Sequence, residues 1–112
     1  MITLTNYRIA TRENLPNQWS ISNTQPKWWH GSGLIPELIP GQLVWDLKSG
    51  KISQAEYTKS YMGKLEDLDQ NGFNWDSLEG KTLLCWCQEG AFCHRRLLAA
   101  FLTSKFKVVT LR

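Results

Sequence analysis

The apolar and polar positions change period several times along the chain. In "ITLTNYRI", residues 2–9, they alternate, the pattern of a half-buried strand. "ENLPNQ" follows as a turn, and "WSIS" at 19–22 reads as a short second strand. The segment 23–36, "NTQPKWWHGSGLIP", holds two prolines and two glycines and predicts a long loop. Pro40 suits the first position of a helix, where its missing N–H costs nothing. That helix would run through "GQLVWDLKS" and stop at Gly50.

The next helix is signalled more strongly. Ser53 and Glu56 stand at the S-x-x-E spacing of a capping box. Tyr57, Tyr61, Leu65 and Leu68 then recur at helical intervals and give one apolar stripe that ends near Gly72. "KTLLCWC", 81–87, is almost continuously apolar and predicts a buried central strand. A helix over 93–105 and a strand over 107–111 complete a βαβ unit, which implies parallel strands and a right-handed crossover. The expected fold class is α/β: a small, mostly parallel sheet with flanking helices, Rossmann-like and three-layered, with residues 1–112 as a single domain.

Composition narrows the picture. The chain has 112 residues, of which 42% are hydrophobic and 21% charged, as in ordinary globular proteins. No apolar run is long enough for a membrane span, so a membrane partner is not expected. "MITLTNYRIATREN" lacks the basic start and apolar middle of a secretory leader. The expected location is the cytoplasm, and three cysteines, an odd number, fit reduced thiols better than a disulfide framework. A net charge of +3 is too small to announce nucleic acid as a partner. Six tryptophans are many for this length. Trp28 and Trp29 lie together in a polar segment, where they either stack on a base or sugar or close the edge of the core.

The candidate chemistry concentrates in "LLCWCQEGAFCHRRLL", residues 83–98. In open α/β sheets ligands bind beyond the carboxyl ends of the strands. The loop after the 81–87 strand leaves such an end and enters a helix. Cys85 and Cys87 are two apart on the strand, so they share a face, about 7 Å apart along it. Cys93 falls at the helix N-terminus, whose partial positive charge favours a thiolate. Each cysteine is either reactive or a buried structural thiol.

Arg95 and Arg96 occupy the first helical turn, where cations oppose the helix dipole. A bound anion would offset that repulsion. For Arg95 the alternative is an internal ion pair with Glu89, Glu79 or Asp46, and Arg96 is better suited to solvent. The cysteine-phosphatase loop needs an arginine six residues after its nucleophile, but six after Cys87 stands Cys93, so that activity is not inferred. Cys85, Cys87, Cys93 and His94 are suitable zinc donors. Without a C-x-x-C pair, and with Cys93 and His94 adjacent, no metal and no other cofactor is expected.

"LLCWCQEGAFCHRRLLAAFL" resembles the signature of the family catalogued as domain of unknown function 488: an apolar strand ending in cysteine, an aromatic, a short loop, and "CHR" opening a helix. "ITLTNYRIATRENLPNQWSIS", "QPKWWHG" and "LIPGQLVWDLKSGKISQAEYTKSYMGKLEDL" resemble its earlier segments in order, so the likeness runs over nearly the whole chain. The resemblance implies that Cys85, Cys93, His94 and Arg95 are signature positions, with Tyr61 and Trp28 as lesser ones. Cys87 departs from the family, which usually carries an acidic residue there, although a related group shows "CWC".

The expected function is a pocket for a phosphorylated or nucleotide-like small molecule. Chemistry there would use Cys85 or Cys93 as nucleophile or proton donor and His94 as base. Arg95, with Arg96, would hold the anion, and Trp28, Tyr61 and Cys87 would contact the ligand. The alternative is a non-catalytic module that sequesters a nucleotide or contacts nucleic acid or protein.

Overall fold

A computed structural model describes residues 1–88, 90–105 and 109–112. Its centre is a five-stranded sheet in which every pairing is parallel. The strands are β1 (Ile2–Asn6), β2 (Gln18–Ser20), β3 (Gly33–Leu34), β4 (Thr82–Cys85) and β5 (Val109–Leu111), in the order β3-β2-β4-β1-β5. The helices are α1 (Tyr7–Arg12), α2 (Gln42–Lys48), α3 (Gln54–Gln70) and α4 (His94–Lys105). The expected α/β class with a parallel sheet and flanking helices is what the chain forms.

β4 is buried at all its positions, as a central parallel strand must be when both faces are covered. Successive strand residues face opposite ways. Leu83 belongs to the large core, with Leu4, Tyr61, Leu65, Leu98 and Leu102. Leu84 belongs to a smaller cluster with Tyr7 and Ala10 of α1, against which Leu15 and Trp29 pack. Two cores on one strand give the three layers: α1 on one face, and α3 and α4 on the other. β4 and β5 are not neighbours, because β1 lies between them and pairs with both.

Several boundaries differ from those the pattern predicts. The first strand is not 2–9 but ends at Asn6. The Asn6 side chain accepts a hydrogen bond from the Ile9 backbone N–H at 2.8 Å and so caps α1. Tyr7 and Ile9 keep the strand-like alternation while in a helix, which is why periodicity misses it. The predicted loop 23–36 contains β3, which adds two residues to the edge of the sheet. The strand read as 81–87 stops at Cys85, so Cys87 lies in the loop. Of the predicted strand 107–111, Lys107 and Val108 lie outside the described residues.

The helix after Pro40 begins at Gln42, with Gly41 as its N-cap at φ 66°, ψ −130°. That backbone conformation suits glycine alone. α3 carries the full capping box: Ser53 Oγ accepts from the Glu56 N–H, and Glu56 accepts from the Ser53 N–H.

Candidate thiol-floored pocket

The chain leaves β4 at its carboxyl end, passes through Trp86–Gln88, turns at Gly90 (φ 80°) and enters α4 at His94. The Ala91 N–H donates to the Gln88 carbonyl across this turn. The path returns Cys93 to Cys85: their sulfurs are 3.1 Å apart. The sulfurs of Cys85, Cys87 and Cys93 all lie within 4.8 Å of one another. Cys85 and Cys93 are buried, and Cys87 is half-buried. The three thiols thus form one cluster.

Arg95 stands behind it, 0% exposed. Its Nη1 donates to Cys85 Sγ at 3.1 Å and to the Cys87 carbonyl at 2.9 Å, and Nη2 donates to the Gln88 carbonyl at 3.3 Å. The guanidinium therefore ties the loop down and faces sulfur. Neither Glu79 nor Asp46 pairs with it, and Glu89 lies outside the described residues. Removing a cation from water is unfavourable without compensation, and Cys85 Sγ and the two loop carbonyls supply its acceptors.

Hydrogen bonding fixes the order of acidity. Cys87 is held down to about 3, first by Cys85 and then by Cys93 donating to its sulfur, with help from the charge on Arg95. Cys85 is pushed up to about 11, first because it donates to Cys87. Cys93 is raised for the same reason, by its bonds to Cys85 and Cys87. Of the three, Cys87, the half-buried one, is the thiol whose acidity this arrangement raises.

His94 is buried, and burial lowers it to about 4, so its ring is neutral. Its Nε2 lies 2.6 Å from the Ile21 carbonyl, which can only accept, so Nε2 carries the proton. Nδ1 is left with its lone pair 3.6 Å from Cys93 Sγ. Tyr61 packs its ring edge-on against His94 at 5.4 Å and donates its hydroxyl to the Leu38 carbonyl at 2.7 Å.

The three cysteines and His94 line a cavity of about 430 Å³. That volume is in the range of small-molecule sites. Its walls are Tyr57 of α3, Phe92 of the loop, Trp86, and Val44, Trp45, Leu47 and Lys48 of α2. Ser22, Asn23 and Thr24, just past β2, supply a polar edge. Two ties hold these walls. Asn23 pairs reciprocally with the Gly41 backbone, at 2.8 and 2.9 Å, and anchors the start of α2. Trp86 Nε1 donates to the Thr24 carbonyl at 2.8 Å. Lys48 Nζ lies 5.3 Å from the Trp45 ring, a cation–π contact at the cavity wall.

Among the residues marked in the sequence, Cys85, Cys87, Cys93 and His94 meet at the cavity. Arg95 stands behind the sulfurs. Tyr61 does not line the cavity, because its stripe position on α3 turns it into the core. Trp28 does not line it either and is 52% exposed, while its neighbour Trp29 packs on Tyr7. Arg96 is exposed and borders a separate shallow groove with Ala100, Thr103 and Val109. Sequence reasoning missed the Ser22–Thr24 edge, Trp45, Lys48, Trp86 and Phe92. No local pattern brings these residues together. The nearest signal was the position of "SNT" beyond the carboxyl end of a parallel strand.

No family model, curated protein or solved structure matches the chain. Among the described residues, no helix is long and apolar enough to cross a membrane.

Proposed function

We propose that the cavity binds a planar, nucleotide-like small molecule carrying an anionic group. The observation that carries this reading is the wall composition. Four aromatic side chains, Trp45, Tyr57, Trp86 and Phe92, surround a polar edge and a single lysine at the carboxyl end of a parallel sheet. Aromatic faces stack on a base whatever its identity. Ser22, Asn23 and Thr24 offer hydrogen bonds to its edge. Lys48 takes the role of anion contact first sought in Arg95 and Arg96, since Arg95 is engaged with sulfur and loop carbonyls and Arg96 faces elsewhere. From the floor of the cavity, contact with the ligand falls to Cys87, the outermost thiol. The resemblance to the family of unknown function 488 marks this same corner, and membership in that family is part of the proposal.

Titration calorimetry with the four common nucleoside monophosphates, and with adenosine, tests the reading. At least one monophosphate binds saturably at one site per chain. Trp45→Ala weakens it at least about tenfold, the size of one lost base stack. Adenosine binds more weakly than AMP in the wild type, and Lys48→Gln removes that difference. Absence of saturable binding by every nucleotide, or binding indifferent to Trp45→Ala, overturns it.

A further inference from the structure

We propose that Cys85, Cys87 and Cys93 together bind a thiophilic divalent ion of the zinc class at the floor of the cavity. Three observations converge on this. The first is spacing. All three sulfurs lie within 4.8 Å of one another, and tetrahedral Zn–S bonds of ~2.3 Å need sulfurs ~3.8 Å apart. The 3.1 Å between Cys85 and Cys93 and the 4.8 Å upper limit for the set bracket that spacing. The second is placement. Cys85 comes from the end of β4, Cys87 from the loop and Cys93 from the residue that precedes α4, so two rigid elements bracket the cluster.

The third observation is charge. Three thiolates around a divalent ion leave one net negative charge, and Arg95 is one buried cation already donating to Cys85 Sγ at 3.1 Å. The guanidinium thus meets both needs of such a site, neutralising it and orienting a ligand from outside the coordination sphere. A monovalent ion with the same three thiolates would leave a second, unbalanced charge. Oxygen-seeking ions such as magnesium and calcium do not suit a sulfur set.

The thiol set alone supplies three ligands. All three cysteines line the cavity, so a fourth position opens towards whatever fills it. This is the arrangement of zinc sites that keep an open position for water or substrate. Only in this last respect does the inference rest on the ligand reading above. Closure of an intrachain disulfide between Cys85 and Cys93 would abolish the site, so the protein is tested fully reduced.

The experiment uses cobalt as a spectroscopic stand-in, titrated into reduced, chelator-stripped protein. Intense thiolate-to-cobalt charge-transfer absorption should appear and saturate at one equivalent, and zinc should displace it stoichiometrically. Cys87→Ser, at a half-buried position that the fold tolerates, should weaken binding by more than the roughly 10–100-fold typical of supporting residues. Trp45→Ala should leave metal affinity unchanged within about twofold while it weakens nucleotide binding. Absence of nucleotide binding by the wild type, with the metal bound, would sink the ligand reading alone. Absence of charge-transfer absorption in the wild type, or a band that survives in the Cys87→Ser/Cys93→Ser double variant, would overturn the metal site.

Discussion

Arg95 and Arg96 are adjacent in the chain and opposite in environment. Arg95 is fully buried, with its guanidinium spread over one sulfur and two carbonyls. Arg96 stands in solvent beside a shallow groove. Their difference is one step of 100° around α4. Arg95 shares a face with Leu98, Ala99 and Leu102, at three, four and seven residues, and that face is the core. The comparison teaches that a charged motif is read by helical phase before composition. Two like residues in "HRR" serve different ends, one holding a site together and one keeping the surface wetted.

The sharpest way to break this contrast is Arg95→Ala. It removes the buried cation, leaves Cys85 Sγ and the loop carbonyls without their donor, and opens a void. The expected cost is about 3 kcal/mol or more in urea unfolding, with the wild-type slope retained. A cost within the range of surface substitutions would mean that the guanidinium does not hold the corner. Tyr61→Phe is a milder probe of the same region. It removes the hydroxyl donor to Leu38 while keeping the ring against His94, and should cost about 1–2 kcal/mol. No change would show that the buried carbonyl finds another partner. Smallest is Arg96→Ala, expected to shift stability by no more than about 0.5 kcal/mol and to leave nucleotide affinity unchanged. A tenfold loss of affinity would move the anion contact back to Arg96 and away from Lys48.

The corner itself was legible in the sequence because its signals are local. A continuous apolar run marked β4, and a loop at its carboxyl end followed by "CHRR" marked the start of α4. The capping box at Ser53 and Glu56 was legible for the same reason. What was hidden depends on contacts distant in sequence. α2 becomes a cavity wall because Asn23 bonds to Gly41, 18 residues on. Trp86 closes another wall because Thr24 accepts its N–H across 62 residues. α1 was hidden differently: Tyr7 and Ile9 prolong the alternation of β1, and only Asn6, read as a cap, betrays the change. The burial of Arg95 was available in principle, from the spacing to Leu98, Ala99 and Leu102. The helix dipole alone points to an anion at this position, because it takes no account of helical phase. The convergence of all three sulfurs was not available, because the return path through Gly90 to Cys93 is a tertiary fact.

The central claim is that ligand recognition belongs to the thiol-floored cavity and not to the groove beside Arg96. Backbone amide shift mapping by NMR, during titration of reduced protein with the tightest-binding nucleoside monophosphate, tests it most directly. The account predicts shifts at residues 22–24, 44–48, 85–88 and 92–94, with Ala100 and Thr103 unmoved. Shifts centred on Arg96, Ala100 and Thr103, with the cavity residues unmoved, would contradict it.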